Sequence, residues 1–164
     1  MLKINKSEPL EIFEVDDENS IEGFYEILTN ESIYQFIPAP PPRDLMDFMR
    51  RHASTQSRLI FGAYLDVDKN FPVGLLEIDV SNPGEASIGY LISNLYWWRG
   101  FASRLIASAI RKSSSRVRAF CAVVDSQNVG SIRVLEKNGF VRSEIKPSML
   151  KMQASTDFVY RRDV

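Results

Sequence analysis

The most constraining feature of this sequence is the order of the elements in its second half. A β-like stretch over 86–92 leads through a short loop into a helix over 100–112 that has one apolar face. A nearly continuous apolar run, 117–124, follows and is typical of a strand covered on both faces. A second helix over about 128–138 ends at Gly139 as its C′ residue. This order predicts two parallel strands joined by a right-handed crossover.

The remainder of the chain supplies further helices and mostly antiparallel strands. One predicted helix takes Asn19 as its N-cap and continues to Leu28, and a second carries Leu45, Phe48 and His52 on one stripe. Short turn-rich connections favour antiparallel neighbours. We therefore expect a single mixed α/β domain over 1–164, with a largely antiparallel sheet and helices on both faces. The remaining predicted strands are 10–15, 59–65, 73–80, 140–145 and 157–161, with a loop over 147–156.

Composition excludes several classes of protein. A net charge of -1 gives no overall field that would hold a nucleic acid or an anionic membrane. One cysteine, Cys121, and one histidine, His52, leave neither a disulfide framework nor a metal-ligand cluster, so we expect no metal. The first residues lack the apolar run of a signal peptide, and no stretch is long enough to span a membrane. We expect a cytoplasmic protein.

The loop before the predicted helix over 100–112 has the character of an anion-binding site. Its sequence, Trp97-Trp-Arg-Gly-Phe-Ala102, places small residues where a ligand could approach the backbone closely. The first N–H groups of a helix and its dipole favour an anion, and Arg99 adds a full positive charge. A diphosphate group is therefore the expected ligand of this loop. Neither of the usual glycine-rich nucleotide motifs is present.

This loop resembles the signature of the GCN5-related N-acetyltransferases (GNAT), which is (Gln/Arg)-x-x-Gly-x-(Gly/Ala) after a strand. The first position departs from it, since tryptophan stands there, as in the subgroup that resembles ribosomal-protein N-terminal acetyltransferases. A second resemblance to that subgroup lies in Asn128-Val-Gly-Ser-Ile-Arg-Val-Leu-Glu-Lys-Asn-Gly-Phe140. The two motifs occur in the family's order and spacing, and the resemblance covers roughly 58–164 well.

The resemblance implies a coenzyme A site that binds acetyl-coenzyme A as co-substrate. A splayed cleft between the two parallel strands would accept the pantetheine arm, and Asn128 would donate or accept a hydrogen bond. Ser131 would face the cofactor sulfur. Relatives often carry a tyrosine as the acid where this chain has Leu135, so Ser131 is the candidate that protonates the thiolate. The implied backbone contacts are Leu91, Ile92 and Ser93 for pantetheine, and Trp98, Arg99, Gly100, Phe101, Ala102 and Ser103 for the phosphates.

The acceptor half of the reaction needs a base, because only a neutral amine attacks a thioester. Glu77 and Asp79 are two residues apart in one predicted strand and so share a face beside the expected cleft. Either carboxylate could take the proton, or both could simply be the wet face of a strand. A backbone N–H near Ile92 or Ser93 is expected to hold the oxyanion.

Several alternatives stay open at this stage. We expect direct transfer in a ternary complex to a protein N-terminus or a small amine; polyamines, aminoglycosides and amino acids are rival acceptors. A coenzyme A-binding sensor without turnover is the rival from another class. Trp97 and Trp98 are expected to pack, as is His52, and Cys121 to be inert. Tyr34, Phe36 and the prolines at 38 to 42 either line the acceptor site or form an ordinary loop. A monomer and a homodimer are equally compatible with the sequence.

Overall fold

Within the described residues, 9–164, seven strands form one mixed sheet with helices on its two faces. The computed structural model does not describe the side chains of residues 18, 19 and 81, and the prediction about a signal peptide in residues 1–8 lies outside the described part. The strands are β1 (Glu11–Glu14), β2 (Arg58–Tyr64), β3 (Pro72–Asn82), β4 (Glu85–Ile92), β5 (Ala119–Asp125), β6 (Val141–Leu150) and β7 (Gln153–Asp163). The α-helices are α1 (Glu18–Glu22), α2 (Tyr25–Leu28), α3 (Leu45–Arg51), α4 (Phe101–Ser113) and α5 (Val129–Lys137).

The sheet has the strand order β1-β2-β3-β4-β5-β7-β6. Every neighbouring pair is antiparallel except β4 and β5, which are parallel and are connected through α4. This confirms the predicted mixed, mostly antiparallel sheet and its parallel pair. The parallel pair is central, so a disturbance of its pairing opens the middle of the molecule.

Two hydrophobic clusters cover opposite faces of the sheet. On one face, α4 and α5 contribute Phe101, Leu105 and Leu135 to a core with buried residues of β3, β4 and β5. On the other, Phe24 and Phe48 of the N-terminal helical region pack on β2 and β3 residues. Side chains that alternate along β3 and β4 therefore face either α4 and α5 or the N-terminal helices.

The β4–β5 pairing stops after three residue pairs. Glu85, Ala86 and Ser87 pair with Ala119, Phe120 and Cys121, and the paired register ends there although both strands continue. On the other side β4 stays close to β3, because Gly74 has no side chain: a Cβ there would lie 2.4 Å from the Leu91 carbonyl oxygen. β4 thus follows β3 and departs from β5, which produces the splayed cleft that the resemblance implied.

Three local expectations differ from the structure. Asp17 rather than Asn19 caps the first helix, accepting a 2.7 Å hydrogen bond from the Ser20 N–H, and the predicted helix is divided into α1 and α2 near Gly23. The predicted loop over 147–156 is wrong, because β6 and β7 form a hairpin that turns at Lys151 and Met152. Both turn residues have positive φ (50° and 65°), a conformation that their residue types do not predict.

The expectation that β5 is covered on both faces is also wrong. Ala122 and Val124 are buried against the α4 and α5 side, whereas Val123 is 54% exposed. The other face of the strand opens toward the cleft, so the apolar run reflects one buried face and one wall of a cavity.

Candidate active site

A cavity of about 390 Å³ occupies the cleft where β4 and β5 separate. Its wall includes residues from both faces of the sheet: Glu77 and Leu91 on the side of the N-terminal helices, and Tyr90 and Leu135 on the side of α4 and α5. Because the gap lies within the sheet itself, the cavity connects the two faces. Two different molecules could therefore approach one point from opposite sides.

Main-chain N–H groups of β4 face this gap. Ser93 donates its N–H to the Val73 carbonyl at 2.9 Å, and the register pairs Ile92 with Gly74. Antiparallel strands bond through alternate residues, so the N–H groups of Tyr90 and Ile92 point away from β3 and toward the gap. Of the two predicted oxyanion donors, the Ser93 N–H is already engaged, which leaves Ile92 as the candidate.

The start of α4 has the geometry of an open anion site. Gly100, the N-cap residue, has φ 79° and makes no side-chain cap, so no side chain occupies the place of a ligand at the first-turn amides. A Cβ built on Gly100 would meet nothing within 4 Å. The Ser103 hydroxyl accepts a 3.0 Å hydrogen bond from the Asn138 side chain, which ties α4 to α5.

The two tryptophans before α4 behave differently from each other. The Trp97 indole N–H donates to the Ile92 carbonyl at 2.8 Å and so closes the end of β4. Trp98 is 73% exposed and has φ 66°, so the expectation that it packs is wrong. Arg99 lies over the Tyr96 ring, 5.7 Å from its centroid. The chain's only tryptophans thus lie beside the candidate anion site.

On the α5 side, Tyr90 and Ser131 both line the cavity. Asn128 caps α5 by accepting the Ser131 N–H at 3.1 Å through Oδ1, so a ligand contact would use its Nδ2. The Tyr90 hydroxyl donates to the Ser131 carbonyl at 3.5 Å. Burial raises the pKa of the Tyr90 phenol to about 12, so the phenol keeps its proton at neutral pH. Leu135 is 1% exposed and presents no acid.

On the opposite side, Glu77 lies in the cavity wall and contacts His52. The His52 Nδ1 lies against Glu77 Oε1, and the side chains are 12% and 28% exposed respectively. A neutral imidazole that donates from Nδ1 leaves Nε2 as an acceptor. Asp79, two residues along β3, is not among the residues that line the cavity. The structure therefore brings only one of the two predicted carboxylates to the site.

Three buried polar atoms lack a hydrogen-bond partner within the described residues: Tyr34 Oη, His52 Nε2 and Ser93 Oγ. Tyr34 and His52 line the cavity, and Ser93 follows directly after β4. Burial is the main reason that the pKa of Tyr34 rises to about 12. Orphaned buried polar groups are rare in native proteins, and ligand-binding sites are where they recur.

Sequence reasoning gave neither Tyr90 nor His52 a role in the site, whereas Tyr34 was one of the residues expected either to line the acceptor site or to form an ordinary loop, and it lines the cavity. Tyr90 alternates with Ile88 and Ile92 on a predicted strand, which marks it only as a side chain on an apolar face. His52 and Glu77 are 25 residues apart in different elements, so no local pattern joins them. Cys121 lies outside the cavity wall, and burial raises the pKa of its thiol.

The model of the GNAT acetyltransferase domain matches residues 10–141, which is most of the chain. This chain therefore belongs to the GNAT acetyltransferase family. No curated protein matches it in sequence.

Solved structures share the whole fold at low sequence identity. RimL, a ribosomal-protein alpha-N-acetyltransferase in complex with coenzyme A, has a TM-score of 0.82 at 17% identity and covers 98% of this chain and 97% of its own. A GNAT-family acetyltransferase from Bacillus anthracis has a TM-score of 0.79 at 18% identity, and the match covers 95% of this chain and 95% of that one. A spermidine N-acetyltransferase from Vibrio cholerae, in complex with coenzyme A and spermine, has a TM-score of 0.75 at 19% identity. The match covers 93% of this chain and 92% of that one. At these identities the likeness shows the fold.

No helix in residues 9–164 is both long enough and apolar enough to cross a membrane.

Proposed function

We propose that this protein is an N-acetyltransferase that moves the acetyl group of acetyl-coenzyme A directly to a primary amine, on a protein N-terminus or a small molecule. The observation that carries the proposal is the cavity through the splayed sheet, which joins a wall with hydroxyl groups on one face to a carboxylate on the other. Neighbours of the same fold are described with coenzyme A, which supports the same donor here.

The residues on the donor side fit coenzyme A. The uncapped start of α4 and the open space at Gly100 suit a diphosphate, and the N–H groups of β4 that face the gap suit the amides of pantetheine. The orphaned Ser93 hydroxyl lies at the same end of β4. Acetyl-coenzyme A, when bound, supplies an activated acetyl group. The predicted main-chain contact at Leu91 does not fit, because its N–H and C=O point toward β3. The residues proposed to hold coenzyme A are Ile92 through its N–H, Ser93 through its hydroxyl, and Trp98, Arg99, Gly100, Phe101, Ala102, Ser103, Asn128 and Ser131.

Glu77 is the proposed base on the acceptor side. It accepts a proton from the ammonium group, so that the nitrogen lone pair can form the new N–C bond; as the C–S bond breaks, the nitrogen loses its second proton to solvent. His52 is a positioning residue: its Nδ1–H holds Oε1 of Glu77 and leaves Oε2 for the amine. The Ile92 N–H stabilises the negative charge that develops on the carbonyl oxygen.

Ser131 and Tyr90 form the proposed proton donor for the leaving thiolate. Both line the cavity on the α5 side, and the hydroxyl of Tyr90 reaches the backbone of Ser131. The thiolate takes a proton from one hydroxyl, and solvent returns it. Because burial raises the pKa of Tyr90 to about 12, this phenol carries its proton throughout the neutral range.

Release of thiol tests the proposal. We expect the purified protein, mixed with acetyl-coenzyme A and primary amines, to release free thiol and acetylated amine in equal amounts, measured by a thiol reagent and by mass spectrometry. Tight coenzyme A binding with no release for any amine would contradict this proposal and favour the sensor alternative, for which the apolar Leu135 is the supporting feature.

Paired variants test the proton donor. We expect Ser131→Ala and Tyr90→Phe each to lower kcat about 10-fold or more while the KM for acetyl-coenzyme A changes little, because general acid catalysis contributes about 10²-fold or more. If the two hydroxyls act as one unit, the double variant should be no slower than the slower single variant. Wild-type kcat in both single variants would remove these residues as the acid.

A further inference from the structure

The charges in the cavity wall indicate what kind of amine it accepts. We propose that the acceptor is a primary amine with a single positive charge on an apolar body, and not a polyamine. This inference rests on the proposed function, whose acceptor it narrows. It follows from three features of the wall: one available carboxylate, one compensated cation and a predominantly apolar remainder.

The wall offers one carboxylate to a cation. Two acidic residues line it, Glu77 and Asp125. Asp125 is 5% exposed, and its oxygens accept hydrogen bonds from the Gln127 N–H at 2.8 Å and from the Ser155 hydroxyl. Glu77 retains 28% of its side-chain exposure and holds His52 with only one oxygen. A single ammonium group therefore has one partner.

Arg51, the arginine in the same wall, has its positive charge compensated by a neighbouring carboxylate. Its guanidinium donates to Asp47 and to the Pro40 carbonyl, both at 2.7 Å, so Asp47 compensates its charge. The wall thus has neither spare negative charge for a second ammonium nor a strong uncompensated cation for a carboxylate. Burying a charge without a partner costs free energy. A second ammonium group here would lose its bound water without gaining a carboxylate partner.

The rest of the acceptor side suits an apolar group. Aromatic and aliphatic side chains from the segment before α3 and from β3, β4 and β5 line the same cavity as Glu77. They are Phe36, Ile37, Pro38, Leu75, Leu91 and Val123. Burying apolar surface stabilises binding by about 25 cal/mol per Å². An alkyl or aryl body attached to the amine would therefore be the part that supplies affinity.

A matched pair of amines tests this class directly. Butylamine and 1,4-diaminobutane have the same carbon chain and differ in one terminal ammonium group. We expect kcat/KM for butylamine to exceed that for the diamine at least 10-fold at fixed ionic strength. 2-Phenylethylamine and a short peptide with an N-terminal phenylalanine then distinguish the two sources of such an amine, since one is a small molecule and the other models a protein N-terminus.

A variant that adds a second carboxylate to the cavity wall should weaken the preference for butylamine over the diamine. Ala39 is exposed and lines the cavity, so Ala39→Glu adds a carboxylate with little effect on the core. We expect it to narrow the butylamine-to-diamine ratio at least 3-fold. Met46 is 67% exposed on α3 and outside the cavity wall, so Met46→Glu adds the same charge elsewhere and should leave the ratio unchanged.

The rates with these amines separate the acceptor inference from the proposed acetyltransferase activity. A kcat/KM for 1,4-diaminobutane or spermidine equal to or above that for butylamine would overturn the inference while leaving the acetyltransferase activity established. Thiol release with none of the amines would instead contradict the proposed function, and this inference with it.

Discussion

A Gly100→Asp variant should bind coenzyme A at least 30-fold more weakly than the wild type. Gly100 caps α4 with φ 79°, and a side chain there points into open space beside the first-turn amides. Aspartate tolerates this left-handed conformation, so the backbone can be kept, while its carboxylate lies where the diphosphate would bind. Like charges at about 4 Å repel by roughly 1 to 4 kcal/mol between water and a protein surface, and a 30-fold loss corresponds to about 2 kcal/mol, in the middle of that range.

Gly100→Asn separates charge from size, because asparagine has nearly the same shape and no charge. We expect it to weaken binding only about 3-fold, and we expect the gap between the two variants to shrink as salt screens the repulsion. Gly84, with φ 81° in the turn between β3 and β4, provides the control for backbone strain: Gly84→Asp should bind normally. Calorimetry measures the affinities, and equal binding by Gly100→Asp and the wild type would place the diphosphate elsewhere.

Glu77→Gln should lower kcat/KM for the amine about 100-fold near pH 7, because the loss of a general base commonly costs 10² to 10⁴. The deficit should shrink as pH rises. An alkylamine with a pKa of about 10.4 gains roughly 10-fold in its neutral form per pH unit below that value, and a neutral amine no longer needs Glu77 to remove its first proton. Steady-state rates from about pH 7 to 9.5 measure both effects, provided that the acetyl-coenzyme A concentration is saturating.

Asp79→Asn is the matched control, since it makes the same change two residues further along β3 and outside the cavity wall. We expect kcat/KM of Asp79→Asn for the amine to stay within 3-fold of the wild-type value. His52→Asn should keep more activity than His52→Phe, because asparagine can still donate a hydrogen bond to Glu77. If Asp79→Asn is the slower carboxylate variant, or if the Glu77→Gln deficit does not change with pH, Glu77 is not the base.

The elements that sequence reasoning placed well are those with local signals. The apolar stripe of α4, the start of α5 near Asn128 and the C′ residue Gly139 (φ 79°) are each encoded within a few neighbouring residues. The splay of β4 from β5 came only through the resemblance. No short-range pattern announces that pairing stops after Ser87 and Cys121.

The features that escaped prediction depend on distant residues. The turn at Lys151 and Met152 takes positive φ without glycine or asparagine, because the β6–β7 ladder on either side fixes it. The contact between His52 and Glu77 joins a helix to a strand that meets it only in the folded chain. The choice of Glu77 over Asp79 likewise follows from where the strands diverge, which period-2 alternation does not reveal.

A crystal structure with coenzyme A and butylamine would show whether the two substrates meet through the splayed sheet. We expect pantetheine in the gap between β4 and β5, the diphosphate on the amides of residues 100–103 and the amine beside Glu77 on the opposite face. Coenzyme A bound away from that gap, or both molecules on the same face of the sheet, would contradict this expectation.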